Sequence, residues 1–120
     1  MILMLFFFVV VGYFLVLGRC SHICNGGFIT APEYRRMGVA TLMGRAFCRF
    51  AKDLGYKSSY FNLVFESNVA SVRLWEKLNF DRVATLEKAA RLEGVEGLDT
   101  AFGYRFDLER LGDDFKISSN

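Results

Sequence analysis

The hydrophobic pattern of the chain changes sharply after its first 17 residues. Residues 1–17 carry no charged side chain and are interrupted only by Gly12 and Tyr13. A membrane-spanning helix needs roughly 17 to 25 apolar residues, so this run reaches the lower limit. Its aromatic and β-branched residues also suit a strand that is buried on both faces, and periodicity does not separate the two structures. Residues 1–18 are therefore predicted to be an apolar segment, either a transmembrane-like helix or a buried strand.

Beyond Gly18 the apolar positions predict strands alternating with helices. Residues 23–30 are typical of a strand, and the glycine pair inside it, Gly26 and Gly27, indicates a bulge or a close backbone neighbour. Apolar residues then recur at helical spacing over residues 39–54, and Gly55 is placed to end that helix. This order predicts a strand followed by a long amphipathic helix.

The second half of the chain repeats this alternation. Residues 58–65 are aromatic and β-branched and predict a strand, and Asn68 is placed to cap a short helix over residues 69–78. Two further strands are predicted at residues 80–85 and 100–108, separated by a Glu- and Gly-rich loop over residues 87–97. Residues 111–120 are predicted to be a polar tail.

Charge and cysteine content bear on three possible features of the protein: nucleic-acid binding, disulfide bonds and a metal site. The 120 residues carry a net charge of +2 with acids and bases nearly balanced, so no basic face for nucleic acid is expected. Three cysteines, an odd number, favour free thiols in a reducing compartment, and Cys48 falls on the polar flank of the long helix. Cys20, His22 and Cys24 share one face of an extended segment, but their spacing matches no standard zinc pattern. No metal site is predicted.

Residues 35–40, Arg-Arg-Met-Gly-Val-Ala, lie between the glycine-containing strand and the start of the long helix. A loop that enters a helix directs backbone N–H groups and the positive end of the helix dipole at one point, which suits a phosphate. The absence of a side chain at Gly38 lets the backbone approach such an anion. The pattern is weak by itself, because an ordinary turn with solvated arginines has the same composition.

Two segments resemble the GNAT acetyltransferase superfamily in order and separation. Residues 27–40 are similar to the family's strand, pyrophosphate loop and helix start, and residues 68–80 are similar to its closing Asn-x-x-Ala-x-x-Leu-Tyr-x-x-x-Gly-Phe pattern. Two matched motifs about 30 residues apart are much more specific than one. Residues 19–25, 54–57 and 61–65 resemble, more narrowly, a fungal subgroup that acetylates proline analogues such as azetidine-2-carboxylate.

The resemblance implies a fold and a cofactor site. The expected fold is α/β, the C-terminal part of a GNAT acyl-CoA N-acyltransferase domain over residues 19–110, with a mixed sheet and two helices. Acetyl-CoA is the implied co-substrate, with its pantetheine arm in a gap where the sheet splays near Thr30 and its pyrophosphate on the helix start. The implied cofactor-binding residues are Phe28, Ile29, Thr30, Arg35, Arg36, Met37, Gly38, Val39, Ala40 and Trp75.

The resemblance also implies an acceptor site built from asparagines. Asn25 and Asn62 are the implied acceptor-binding residues, and Asn68 is the implied catalytic residue, which orients the acceptor or the thioester. For Asn68, a helix cap is as good an explanation of the sequence. Trp75 replaces the Tyr with which many family members protonate the leaving thiolate, so a tyrosine acid at that position is excluded. Asn79 replaces the usual Gly, which the left-handed backbone at a helix end tolerates.

The sequence therefore predicts an N-acetyltransferase that moves an acetyl group from acetyl-CoA to the amine of a small molecule, such as a proline-like or other amino acid. Only 26 residues precede Gly27, fewer than the resemblance implies, so the front half of the domain is expected to be missing. The alternatives are an acetyl-CoA-binding remnant without turnover and a membrane-anchored interaction module. A cytoplasmic protein is expected, or one anchored through residues 1–17 with its domain facing the cytoplasm. A homodimer remains open.

Overall fold

The computed structural model describes residues 19–117, in which four strands form one mixed sheet. The strands are β1 (Ile23–Cys24), β2 (Ser58–Phe65), β3 (Asp81–Ala90) and β4 (Asp99–Asp107). They lie in the order β1-β2-β4-β3, where β1 pairs with β2 in parallel and the other pairs are antiparallel. Together with the two helices below, this sheet confirms the predicted α/β class.

Two helices pack against the sheet, and both start near the predicted positions. Helix α1 spans Val39–Asp53 and is followed by Gly55, whose φ of 94° is the left-handed conformation expected at a helix end. Helix α2 spans Val69–Lys77, and its N-cap Asn68 accepts a hydrogen bond from the Ser71 N–H at 3.2 Å. The predicted cap is confirmed, and so is the left-handed backbone of Asn79, with a φ of 63°.

The core lies between the helices and strands β2 and β4. Its aromatic centre is a run of ring contacts in which Phe61 lies 4.5 Å from Trp75 and 5.2 Å from Phe80, between ring centroids. Such pairs contribute roughly 0.5–1.5 kcal/mol each beyond their burial. Tyr104 is fully buried on β4, and its hydroxyl donates to the Glu76 carboxylate at 3.1 Å. This hydrogen bond joins helix α2 to the central strand.

Strand β1 is much shorter than the predicted strand over residues 23–30. Only two residue pairs join it to β2, Ile23 with Ser58 and Cys24 with Ser59. No pair joins residues 25–30 to β2, so the separation from β2 begins well before Thr30, the position that the resemblance implies. A methyl group built on Gly26 would lie 2.8 Å from the Phe47 ring, so the glycine lets the chain pass close over helix α1.

Three other sequence predictions are wrong in detail. Strand β3 continues to Ala90, through the first part of the predicted loop, because it pairs with β4 as far as Asp99. Phe50 is one of the apolar residues whose helical spacing over residues 39–54 predicts a core-facing side of α1, but it is 51% exposed. Cys48, predicted on the polar flank, is buried, because the face of α1 that meets the sheet runs through Met43, Gly44, Phe47, Cys48 and Ala51.

The hypotheses on residues 1–17 lie outside the described residues. Within residues 19–117, neither helix has the length and apolar character needed to cross a bilayer. The C-terminal tail, by contrast, is described up to Ile117. Leu111 is buried, and Phe115 packs against the core.

Candidate functional site

A cavity of about 1040 Å³ opens where the chain after β1 moves away from β2. One wall is formed by residues 25, 26 and 28–30 and another by β2. The N-terminal part of α1 and the whole length of α2 complete it. In β2 the pairing with β4 shifts register between Phe61 and Val64, and Asn62 and Leu63, which lie inside that irregularity, are exposed and line the cavity. The bulge therefore releases part of β2 toward the cavity.

The N-terminus of helix α1 lies on this cavity without a side-chain cap. Its N-cap is Gly38, in the left-handed conformation with a φ of 79°, and no side chain within residues 19–117 accepts a hydrogen bond at this end. The helix's first backbone hydrogen bond runs from the Leu42 N–H to the Gly38 carbonyl, at 3.1 Å. The N–H groups of Val39, Ala40 and Thr41 are left for another acceptor. Open space surrounds the position where Gly38 would carry a Cβ.

The charged side chains on this cavity are all basic. Among residues 19–117, its lining includes Arg35, Arg36, Arg73 and Lys77 but no Asp or Glu. Arg35 donates from Nε to the Thr30 carbonyl at 3.2 Å, and this bond joins the loop before α1 to the end of the cavity wall at Thr30. Arg36 holds a positive φ of 62°. A cluster of cations beside a free helix N-terminus suits an anionic ligand.

The three predicted asparagines meet at the same cavity. Asn25 and Asn62 are joined by a hydrogen bond of 3.4 Å from Nδ2 to Oδ1, which bridges the gap just beyond the last β1–β2 pair. Asn25 Oδ1 also accepts from the Gly26 N–H at 2.8 Å. Asn68 uses Oδ1 for the α2 cap, and its Nδ2 has no partner among the described residues. The cap and a ligand-binding role are therefore compatible for Asn68.

An aromatic group forms the apolar floor of the cavity. Trp75 is buried, and its ring lies 5.1 Å from that of Phe28 and 4.5 Å from that of Phe61, between centroids. Ile29, in contrast, is 78% exposed, and its main chain has no hydrogen-bond partner within residues 19–117. Exposed main-chain groups without a partner beside an apolar floor can pair with a ligand.

The structure brings every predicted site residue except Met37 to this one cavity. Met37 is 64% exposed and is not part of its lining. Sequence reasoning missed two basic residues of helix α2, Arg73 and Lys77. Their separation of four residues places them on one helical face, which was the available signal. It also missed the hydroxyl groups of Tyr34, Thr41 and Ser71, for which the sequence carried no distinguishing pattern.

None of the three cysteines within residues 19–117 lines the cavity. Cys20, Cys24 and Cys48 are free thiols, of which Cys20 is exposed and the other two are buried. Burial raises the pKa of Cys24 to about 11 and that of Cys48 to about 12. Both remain protonated near neutral pH, so neither acts there as a thiolate nucleophile. Within residues 19–117, no three His, Cys, Asp or Glu side chains are placed to hold a metal ion.

The chain is similar in sequence to a known protein family and in fold to several solved structures. A family model described as the acetyltransferase (GNAT) family matches residues 9–80. N-acetyltransferase aca1 from Schizosaccharomyces pombe is 48% identical over 99 residues, which cover 82% of this chain and 47% of that protein. The chain thus spans about half the length of this curated relative.

Solved structures agree with this similarity. A GCN5-related N-acetyltransferase from Kribbella flavida superposes with a TM-score of 0.73 at 24% identity, over 78% of this chain and 55% of that one. The smu.2055 protein from Streptococcus mutans superposes with a TM-score of 0.68 at 28% identity, over 77% of this chain and 56% of that one. The first likeness concerns the fold alone.

Proposed function

The chain belongs to the GNAT acetyltransferase family, and from this premise we propose that it binds acetyl-CoA in the cavity beside β2 and transfers the acetyl group to the amine of a small amino-acid-like molecule. One observation carries the proposal. The cavity combines an uncapped helix N-terminus, a lining whose charges are all basic, and an apolar floor. The helix N-terminus suits the pyrophosphate, and the basic side chains suit the remaining negative charge of the cofactor's phosphates. The apolar floor suits the pantetheine arm.

The residues fit the cofactor in three ways. The N–H groups of Val39 and Ala40 would hold the pyrophosphate where the absence of a Cβ on Gly38 leaves room for its oxygens. Arg35 and Arg36 would balance its charge with forked donors. The unpaired main chain at Ile29 would align the pantetheine amides by strand-like pairing. Acetyl-CoA supplies an activated acetyl thioester to this arrangement.

For the transfer itself, the protein must orient an amine and stabilise charge on the thioester oxygen. Asn68 has an unpartnered Nδ2 on the cavity, which can donate a hydrogen bond to the acceptor or to the carbonyl that is attacked. The linked pair of Asn25 and Asn62 presents amide groups to the carboxylate or the amine of an amino acid. The transfer forms a C–N bond as the C–S bond breaks, and the proton that the amine loses balances the leaving thiolate, so the products are the amide and the thiol of coenzyme A. The indole of Trp75 is no acid for the leaving thiolate.

The experiment combines binding with turnover. Gly38→Asp places a carboxylate and a strained side chain at the helix N-terminus, so calorimetry should show coenzyme A binding weakened at least tenfold, about 1.4 kcal/mol. Gly55→Asp is the matched control, because Gly55 also has a positive φ and open space around its Cβ position, at the other end of α1. It should leave the affinity unchanged within about twofold. Lack of binding to folded wild-type protein would refute the proposal.

Turnover decides between an enzyme and a binding remnant. Release of coenzyme A from acetyl-CoA is measured alone and with azetidine-2-carboxylate, proline or other small amino acids. An acceptor that raises the release rate supports transfer, and Asn62→Ala should then raise the KM for that acceptor while leaving coenzyme A affinity in place. Tight binding with no acceptor-dependent release would instead identify a cofactor-binding remnant.

A further inference from the structure

A buried carboxylate on β4 holds the turn that carries Asn68. Asp99 is 8% exposed and accepts three hydrogen bonds. Its Oδ2 receives the Ser67 hydroxyl at 2.5 Å and the Ser67 N–H at 3.3 Å, and its Oδ1 receives the Thr100 N–H at 3.0 Å. Two of the three donors thus come from the turn between β2 and α2, 32 residues away in sequence.

The turn does not need Asp99 in order to close. The Asn68 N–H donates to the Phe65 carbonyl at 3.0 Å, and the Glu66 N–H donates to the Thr100 carbonyl at 2.9 Å. These backbone bonds define the turn and join it to β4. The carboxylate adds a second attachment at the residue immediately before Asn68. Hydrogen bonds to a charged acceptor are stronger than neutral ones.

The position of Asn68 depends on this attachment. Asn68 lines the cavity and caps α2 through the Ser71 N–H, so a rotation of the turn at Ser67 would displace both the cap and the free amide nitrogen. Asp99 lies at the start of β4 and is absent from the cavity lining. Asp99 therefore acts on the site only through its partners, of which Ser67 is the one next to Asn68.

We propose that Asp99 is a positioning residue for the reaction, which fixes the turn at Ser67 and thereby aims Asn68 into the cavity. The expected effect on turnover rests on the proposed function, whereas the role of Asp99 in holding the turn rests on the hydrogen bonds alone. Misplacement of a catalytic group by a small distance costs a large part of the rate, so loss of this attachment lowers turnover more than it lowers cofactor binding.

The substitution Asp99→Asn tests the proposal with little change of shape. The amide nitrogen that replaces Oδ2 is a donor, so it no longer accepts the Ser67 N–H, while the bond from the Thr100 N–H to the remaining oxygen survives. Asp81→Asn is the matched control, because Asp81 is an exposed carboxylate whose partner is Arg110 at 3.3 Å on the surface. Amide hydrogen exchange, coenzyme A affinity and steady-state kinetics are measured on each protein, and on Asn68→Ala with and without Asp99→Asn.

The expected result is local. In Asp99→Asn the Ser67 and Ser71 amides should exchange at least tenfold faster, while the amides of α1 and the affinity for coenzyme A stay within about twofold of wild type. If the wild-type protein turns over, kcat of Asp99→Asn should fall about tenfold or more. In the Asn68→Ala background, Asp99→Asn should lower kcat little further, because the effects of coupled residues are not additive. Additive losses in the double variant would overturn the positioning role.

The hydrogen-exchange measurement tests the role of Asp99 independently of the proposed function. If wild-type protein shows no turnover, the proposed function fails, and exchange at Ser71 still decides whether Asp99 holds the turn. Unchanged exchange at Ser71 in Asp99→Asn would overturn the inference even in an active enzyme. An equal rise in exchange across the whole sheet would also overturn it, since that is the result of a purely structural carboxylate.

Discussion

Two buried thiols on neighbouring elements influence the stability of the fold at alkaline pH. Cys24 ends β1, and Cys48 lies on the buried face of α1. Burial raises the pKa of both from the ordinary value of 9.0, to about 11 and about 12 respectively. The ionised thiolates are disfavoured inside the protein but not in the unfolded chain. Each thiol therefore binds its proton more tightly in the folded state.

We expect the free energy of unfolding to fall as the pH rises above 9. The stabilisation from each protonated thiol is complete below the unfolded pKa of 9.0 and is lost as the pH rises toward 11 for Cys24 and 12 for Cys48. The slope contributed by each is at most about 1.4 kcal/mol per pH unit. Urea unfolding of wild type and of Cys48→Ala at pH 8, 9 and 10 measures it. A slope that Cys48→Ala does not reduce would contradict the assignment.

At the scale of elements, the approach of helix α1 to helix α2 depends on Gly44. A Cβ at this position would lie 2.6 Å from the Leu78 Cδ1 and 3.2 Å from the Trp75 ring. Trp75 lies on α2 and lines the cavity, and Leu78 is the residue at which α2 ends. The two helices can therefore meet as they do only while position 44 has no side chain.

Gly44→Val should destabilise the fold by roughly 1–3 kcal/mol, because a branched side chain has to displace both the Leu78 side chain and the Trp75 ring. The control is Phe50→Val, which puts the same residue on an exposed position of the same helix and should change stability by about 0.5 kcal/mol or less. Chemical denaturation compares the two. Val has a higher helix propensity than Gly, so a loss of stability in Gly44→Val reports the contact with α2. Equal effects for Gly44→Val and Phe50→Val would contradict this contact.

On the scale of the whole molecule, the C-terminal tail is attached to helix α1. The Arg45 guanidinium donates to the Lys116 carbonyl at 2.8 Å and to the Ile117 carbonyl at 3.1 Å, and it lies 4.9 Å from the centroid of the Phe115 ring. Lys52 contributes a further hydrogen bond to the Leu111 carbonyl. Residues 111–117 belong to the predicted polar tail, but Leu111 is buried and Phe115 packs against the core.

Arg45→Ala should release this tail and expose the bond after Lys116 to trypsin, which needs the carbonyl that Arg45 now binds. We expect cleavage at this bond to be at least tenfold faster than in wild type. Arg49→Ala is the control, because Arg49 is on the same helix but pairs with Asp53 at 3.1 Å and not with the tail. Mass spectrometry of timed digests gives both rates, and equal rates for the two variants would refute the attachment.

Much of the fold was predictable because local signals and tertiary packing agree. The limits of β2, the end of α1 at Gly55 and the cap at Asn68 follow from side-chain pattern and from the backbone preferences of single residues. The predictions failed where a distant partner decides. Pairing with β4 extends β3 to Ala90, and the approach of residues 25–30 to Phe47 ends β1 after Cys24. Neither partner is adjacent in sequence.

The sequence by itself determined the family and the order of the elements, because both reside in short motifs and in periodicities that a chain carries locally. It also supplied half of the residues that line the cavity, through resemblance to the family and to one subgroup of it. Only the tertiary structure decided that Asn25 and Asn62 bridge the gap between strands, that Arg73 and Lys77 line the same cavity, and that Asp99 holds the turn before Asn68. These relations join residues far apart in the chain, and they exist only once the sheet and the helices have packed.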